Sequence, residues 1–239
     1  MNNFRYTRPD SFPPLVKNLV IINVLMYMAQ LLLAQQFHLT EKLELWPLYP
    51  DRLASYIGSS EFKPYQVVTH LFLHSPGSFF HILFNMLMLW MFGRILENVW
   101  GPKRFFIYYF ACGLGAAALH LGIQYLRAEQ LLSAIQARDQ AEITALARTI
   151  GPALGASGAI MGIMVGFAYL FPNTELMIFP IPIPIKAKWL VAAYVVIDLS
   201  LGIGNFSGDN VAHFAHVGGA ITGFILVFIW NKTNRRSLY

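Results

Sequence analysis

The sequence predicts an all-α protein that crosses a membrane with six helices. Three observations support this fold class: 56% of the 239 residues are hydrophobic, only 12% are charged, and the apolar residues form long blocks. An average soluble domain carries about 25% charged residues, and the mean hydropathy here is +0.50. These values exclude a disordered chain, a collagen-like repeat and an ordinary soluble enzyme.

Six blocks are long enough, or nearly so, to cross the hydrocarbon layer, which requires about 20 residues of helix. They cover residues 19–34, 79–96, 105–126, 155–171, 189–204 and 211–230. We therefore expect a cytoplasmic N-terminal tail at 1–18, a membrane core at 19–231 and a basic cytoplasmic tail at 232–239. The first block lacks a convincing cleavage pattern after it, so we interpret it as a spanning helix and not as a signal peptide.

The basic residues predict the direction of the spans. The formal net charge is +5, and Lys and Arg are densest in short segments on the side of the two termini, as at Lys103 and Arg104. Such segments face the cytoplasm, so both termini are expected there. Because the bases lie at the ends of apolar blocks, they do not indicate a nucleic-acid partner. The expected location is a bilayer, the inner (plasma) membrane of a bacterium.

The connections between the blocks have distinct patterns. The two long outer loops cover residues 35–78 and 127–151, and the second carries apolar residues at helical spacing: Leu132, Ile135, Ile143, Leu146 and Ile150. This spacing predicts an amphipathic helix that lies on the membrane or caps the bundle. Residues 178–186 alternate proline with isoleucine, which predicts a stiff inner connection and not a helix. The single cysteine, Cys112, excludes an intrachain disulfide.

Four polar side chains within the blocks are candidates for a functional site, because polar groups in hydrocarbon are costly. They are His81 and Asn85 on the second span, Ser157 on the fourth and His216 on the sixth. These three spans run in the same direction, and at 1.5 Å per residue all four side chains lie within about 10 Å of the outer surface. One shared depth on three helices is what a single site requires.

Spacing within each helix supports the same prediction. His81 and Asn85 are four residues apart and share a face. Small residues beside Ser157 and His216 would let the fourth and sixth spans approach closely: Gly158, Gly162, Gly166, Gly219 and Gly223. Each residue also has a purely structural interpretation, as a packing serine, an interfacial histidine or an interhelical asparagine. Asp198 on the fifth span is interpreted as structural, near the outer end.

The ordered set of motifs resembles the rhomboid intramembrane serine proteases over residues 65–230. The matching segments are His81-Ile-Leu-Phe-Asn85, Gly93, Glu97, Gly101, Gly155-Ala-Ser-Gly158 and Ala215-His216 followed by Gly219 and Gly223. The resemblance implies a rhomboid-like bundle of six helices. It also implies structural motif positions at Gly155, Gly158, Gly219, Gly223 and Glu97.

The resemblance assigns chemistry to the four polar side chains. Ser157 is the expected nucleophile and His216 its general base, while His81, Asn85 and the Ser157 backbone N–H are expected to bind the oxyanion. No third carboxylate is evident near the pair, so we expect a Ser-His dyad with His216 oriented by packing. Neither a cofactor nor a metal is expected. The implied substrate is a single-span membrane protein, cut in or near its transmembrane segment with release of its outer part.

Two positions depart from the family pattern. Many members have Trp-Arg where this chain has Tyr65 and Gln66, and some have a tyrosine where this chain has Met161. Two other functions remain open: an inactive member that acts as a scaffold, and a metal site or transporter. The metal alternative comes from His70 and His74 at i,i+4 spacing, which we instead expect to hold the first loop over the bundle.

Overall fold

The computed structural model describes residues 9–58, 60–178, 181–204 and 213–233, in which helices predominate. The helices are α1 (Pro14–Phe37), α2 (Leu39–Leu43), α3 (Asp51–Ile57), α4 (Gln66–Thr69), α5 (Phe79–Met88), α6 (Arg94–Trp100), α7 (Pro102–Ala137), α8 (Gln140–Ala147), α9 (Ser157–Leu170), α10 (Ala187–Gly204) and α11 (His213–Thr233). A π-helical turn, Leu89–Gly93, joins α5 to α6 as one continuous helix, and a 3-10 turn, His70–Phe72, follows α4. Strands β1 (Glu175–Ile178) and β2 (Ile181–Lys186) form an antiparallel hairpin.

The prediction of an all-α membrane bundle is confirmed. Within the described ranges, five helical segments are long and apolar enough to cross a membrane: Pro14–Leu33, Phe79–Trp100, Pro102–Ala137, Ala187–Gly204 and His213–Thr233. The fourth predicted span yields the shorter helix α9, whose 14 residues extend about 21 Å. Parts of the two predicted tails, at residues 1–8 and 234–239, and the predicted start of the sixth span at 211–212 lie outside the described residues.

Helices α7, α9 and α11 pack against one another at the centre of the bundle, and α10 packs against α11. The contact between α9 and α11 is made by backbone, because a Cβ on Gly219 would overlap the carbonyl oxygen of Gly158. Further along, a Cβ on Gly223 would lie 2.8 Å from the Cα of Gly162. The Tyr108 hydroxyl of α7 lies 2.9 Å from the carbonyl oxygens of both Gly162 and Gly223. The three helices are therefore joined by backbone contacts and by one buried hydroxyl.

Glu97 connects α6 to the beginning of α1. Its carboxylate accepts hydrogen bonds from the backbone N–H groups of Leu15 at 2.9 Å and Val16 at 2.7 Å. The first N–H groups of a helix have no acceptor within the helix, and a negative charge there is favourable. Gly101 is the single residue between α6 and α7, and its φ of 78° is readily adopted by glycine.

The first outer loop is anchored by Gln66, at one of the two positions that depart from the family pattern. The Gln66 side chain is buried. Its amide oxygen accepts from the N–H of Lys63 at 3.0 Å, and its amide nitrogen donates to the carbonyl oxygen of Lys42 at 3.1 Å. One amide therefore joins the end of α2 to the turn before α4.

The same loop is bonded to the segment that precedes α9. Leu45 and Ala153 form an antiparallel bridge, with N–H to O distances of 2.8 and 3.0 Å. The carbonyl oxygen of His70 accepts from the N–H of Gly155 at 2.9 Å. These bonds fix the path of the chain immediately before the fourth predicted span.

The second outer loop differs from the sequence interpretation. The second outer loop does not form one separate amphipathic helix, because α7 continues to Ala137 before Arg138 adopts a φ of 57°. Asp139 then caps α8 by accepting from two backbone N–H groups. The apolar residues predicted for this helix instead pack with the first loop in one cluster: Tyr49, Leu53, Ala128, Leu131, Leu132, Ile135, Ile143, Leu146 and Ile150. The proline-rich connection is not a helix, as predicted, and its described residues, Ile178 and Ile181–Lys186, belong to the antiparallel strands β1 and β2.

Candidate active site

Ser157 is the first residue of α9 and lies opposite His216 of α11. The Ser157 Oγ is 2.7 Å from the His216 Nε2, which is a hydrogen-bond distance. The serine is partly buried and the histidine is 7% exposed. Gly155, two residues earlier, has a φ of 127°, a conformation that side-chain-bearing residues rarely adopt. This turn and the glycine contacts between α9 and α11 bring the two side chains together.

Asp198 of α10 contacts the same histidine, and here the sequence analysis was wrong. The Oδ2 of Asp198 lies 3.0 Å from the Nδ1 of His216, and its Oδ1 lies 2.6 Å from the Nδ1 of His213. All three side chains are buried. A carboxylate is therefore present as a third group beside Ser157 and His216, and His216 is held by a hydrogen bond and not by packing alone.

His81 of α5 also lies near Ser157. The space that a Cβ on Gly155 would fill is 3.2 Å from the His81 Nε2 and 3.5 Å from the Ser157 Oγ, so both atoms border one small space. The His81 Nδ1 accepts from the backbone N–H of Ser75 at 3.1 Å. In a neutral imidazole the other nitrogen then carries the hydrogen, so Nε2 is a donor.

Asn85 is one helical turn beyond His81 on α5 and is buried. Its amide nitrogen donates to the carbonyl oxygen of His81 at 2.8 Å. An amide has two N–H groups, so the second is available for another acceptor. Glu97, the remaining predicted motif residue, lies 16 residues beyond His81 along the same helix, about 24 Å away, and takes no part in the site.

His70 and His74 lie in the first loop, as the structural interpretation expected. The His70 Nδ1 is 2.7 Å from the carbonyl oxygen of Gln66, and the His74 backbone N–H donates to the side chain of Gln30. Burial lowers the pKa of His70 to about 4 and, together with the nearby His81, that of His74 to about 3. Both rings are therefore neutral at pH 7.

The donor atoms that could hold a metal lie elsewhere. Among the described residues, Asp198, His213 and His216 each offer one ligand atom, and these atoms all lie within 4.8 Å of one another. The two Nδ1–carboxylate distances are hydrogen-bond distances. Asp198, His213 and His216 are thus joined by hydrogen bonds. A metal could bind there only by displacing the hydrogens that lie between the Nδ1 atoms and the carboxylate oxygens.

Comparisons with known proteins agree with the motif pattern. A family model of the Rhomboid domain matches residues 61–233, almost three-quarters of the chain. The chain is 29% identical to "Rhomboid protein 1, mitochondrial" of Saccharomyces cerevisiae over 63% of its length, and 29% identical to "Rhomboid protease AarA" of Providencia stuartii over 89%. It is 28% identical to "Rhomboid protease GluP" of Bacillus subtilis over 67%.

The matches cover different shares of these relatives. The aligned region is 38% of the yeast protein, 25% of the Bacillus protein and 70% of the Providencia protein. The chain therefore corresponds to a minor part of some relatives and to most of another.

Proposed function

Because the chain belongs to the rhomboid family, we propose that it is an intramembrane serine endopeptidase in which Ser157 is the nucleophile and His216 the general base. The observation that carries this proposal is the 2.7 Å contact between Ser157 Oγ and His216 Nε2 at the beginning of a buried helix. A serine hydroxyl is a weak nucleophile until a base removes its proton. A neutral imidazole within hydrogen-bond distance is suited to that task near pH 7.

The proposed reaction has two stages. In the first, Oγ attacks the substrate carbonyl carbon while its proton moves to the His216 Nε2. The C–N bond then breaks, and the same proton passes to the leaving amine, so that an acyl-enzyme remains. In the second stage, a water attacks the acyl carbon, its proton moves to Nε2 and then to Oγ, and the new carboxylic acid leaves.

The oxyanion of each stage is assigned to three donors. The His81 Nε2–H points to the space beside Ser157, the Asn85 amide has a second N–H, and the Ser157 backbone N–H is at a helix start where intrahelical acceptors are lacking. Donors fixed in a site with little water stabilise a developing negative charge more than they would in water.

We assign the substrate by the location of the site. A helix of about 21 Å is shorter than the roughly 30 Å hydrocarbon layer, which supports our proposal that the serine at its start lies below one surface of the bilayer. A transmembrane segment can reach such a position laterally, but a regular helix hides its amides, so the substrate must unwind near the cut. The proposed substrate is a single-span membrane protein. The proposed setting is a bacterial inner membrane with both termini cytoplasmic and the site toward the outer face.

The test is cleavage of a labelled single-span substrate in liposomes by the wild-type protein, Ser157→Ala and Ser133→Ala, each assayed with and without EDTA. Ser133 is an exposed serine on α7 and serves as the matched control. We expect cleavage by the wild type and by Ser133→Ala only. Equal cleavage by Ser157→Ala would refute the nucleophile, and activity that disappears with EDTA and returns with Zn²⁺ would refute metal independence.

If none of the proteins cleaves, a serine-reactive phosphonate decides between a protease and a scaffold. Labelling of the wild type and Ser133→Ala, but not of Ser157→Ala, supports an activated Ser157 with a different substrate preference. No labelling of folded wild-type protein would favour the inactive scaffold.

A further inference from the structure

We propose that Asp198 is a positioning residue that holds His216 in the tautomer required of a general base, and that His213 in turn fixes Asp198. The site would then act as a Ser157–His216–Asp198 triad with a second histidine behind the carboxylate. This inference rests on the proposed function. It departs from the Ser-His dyad that the sequence alone led us to expect.

The contacts that support it join two neighbouring helices. Asp198 is 3% exposed on α10, and its two carboxylate oxygens each contact a different histidine of α11. His213 and His216 are three residues apart, so they share one face of α11. Gly202 of α10 permits the close approach, since a Cβ there would lie 3.2 Å from the Cβ of His213.

These contacts determine where the hydrogens are. An ionised carboxylate can only accept hydrogen bonds, so the Nδ1 of each contacting histidine must carry a hydrogen. In neutral His216 the Nε2 then has the lone pair, and it is this atom that faces Ser157 Oγ. In the other tautomer Nε2 would carry a hydrogen and could not accept the proton of the serine.

The carboxylate also has a role when the proton moves. Once Nε2 takes the Ser157 proton, His216 is a cation 3.0 Å from the Asp198 Oδ2. A buried negative charge beside the imidazolium stabilises it. The same charge would be costly if unpaired, and the two N–H donors satisfy both of its oxygens.

His213 contributes by fixing the plane of that carboxylate. Its Nδ1 is 2.6 Å from Oδ1, the shorter of the two contacts, and this bond leaves Oδ2 directed at His216. Because the Nδ1 of His213 contacts the carboxylate of Asp198, we assign His213 a positioning role. Replacing it should affect the rate less than replacing Asp198.

The test measures kcat and KM on the single-span substrate for Asp198→Asn, Asp198→Glu and His213→Gln, with Ser157→Ala as the inactive reference. Asp51, an exposed aspartate of α3, supplies the matched control Asp51→Asn. Asp198→Asn has nearly the same shape as the native side chain, and thermal unfolding checks that each variant is folded. We expect kcat to fall by about 100- to 10,000-fold in Asp198→Asn with KM within about twofold. Asp198→Glu should recover part of this loss, and His213→Gln should lose about tenfold.

A second measurement does not depend on any variant being active. In wild-type protein labelled with ¹⁵N-histidine, the His216 resonances, identified by their loss in His216→Gln, should show a protonated Nδ1 and an unprotonated Nε2. The opposite tautomer would overturn the proposal. So would an Asp198→Asn enzyme within threefold of the wild-type kcat while Ser157→Ala is inactive, a result that leaves the protease itself intact. Wild-type-like cleavage by Ser157→Ala would instead refute the proposed function.

Discussion

At the scale of single residues, two histidines of the site are assigned opposite hydrogen-bonding roles, and each assignment follows from the nitrogen that does not face Ser157. The His81 Nδ1 accepts from the backbone of Ser75, so its Nε2 donates. The His216 Nδ1 faces Asp198 at 3.0 Å, and in the tautomer that we propose its Nε2 accepts from Ser157. One ring is thereby suited to bind a negative charge and the other to take a proton.

Replacing His81 should therefore slow the chemical step without preventing folding. We expect His81→Ala to lower kcat by about 100- to 1,000-fold, with little change in KM, because it removes one oxyanion donor. The measurement is steady-state cleavage of the labelled substrate. His38, which is exposed and has a φ of 49°, provides the control His38→Asn, since asparagine tolerates that conformation. An unchanged kcat in His81→Ala would contradict the assignment.

The sequence interpretation did not assign Asp198 and His213 to the site, because it had no information on how α10 is rotated about its axis. The sequence could predict that Ser157 and His216 lie at the same depth in the membrane, because the depth of a residue follows from its position along the helix. The rotation of α10 about its axis does not follow from its sequence, since the block is apolar nearly all round. A signal was nevertheless present: His213 and His216 share a face, and Asp198 is the acidic residue of the neighbouring span.

At the scale of elements, the contact between α9 and α11 is a backbone contact and so has little room to adjust. The overlap of a Gly219 Cβ with the Gly158 carbonyl oxygen involves main-chain atoms, which cannot rotate away as a side chain can. The contact also lies near the site, since each glycine is within three residues of Ser157 or His216. A change of packing at these positions should therefore also change the geometry of the proposed active site.

We predict that Gly219→Ala separates α9 from α11 and destabilises the protein by several kcal/mol, at or above the upper end of about 1–3 kcal/mol seen for overpacking. Thermal unfolding in detergent measures the effect. The control is Gly122→Ala on α7, where an added Cβ meets nothing within 4 Å and helix propensity improves. Equal Tm values for the two variants would show that the helices can move apart without loss.

The two connections were predicted only in part, because each local sequence pattern is compatible with more than one structure. Alternating proline and isoleucine excluded a helix, and the structure resolves the segment as part of a two-stranded hairpin. Apolar spacing over 127–150 was helical in period, but the period cannot tell a new helix from the continuation of α7. The cluster with Leu53 explains the outcome, because the first loop supplies the apolar partner for that face.

At the scale of the whole molecule, the first loop and the segment before α9 form one connected unit. The Leu45–Ala153 bridge, the bond from Gly155 to His70 and the bond from His74 to Gln30 join the loop to both α9 and α1. Local opening of the loop would therefore disturb the turn that presents Ser157. The protonation of buried groups in this loop should affect the stability of the entire protein.

We predict that stability falls as the pH is lowered from 7 to 5. His70 and His74 have pKa values near 4 and 3 in the folded protein, against about 6.5 when unfolded, so the unfolded state binds protons first and is favoured below pH 6.5. Glu44 opposes this in part, because burial raises its pKa to about 7 and its protonation favours the folded state. The measurement is Tm between pH 7.5 and 5.

The matched variant for this prediction is His74→Leu, which removes one buried imidazole whose ring nitrogens have no hydrogen-bond partner among the described residues. Its Tm should fall less on acidification than that of the wild type. His38→Asn should retain the full decrease. A decrease of equal size in His74→Leu would mean that other groups control acid unfolding.

The backbone contact between α9 and α11 also determines where this sequence can drift over generations. Gly158 and Gly219 admit almost no alternative residue, whereas exposed positions of α10 such as Val196, Ile197 and Ile203 need only remain apolar. A library of all single substitutions, passed through a growth selection, should therefore retain many variants along α10 and very few along this narrow stripe. During evolution, most exposed residues of α10 would therefore be substituted long before Gly158 or Gly219.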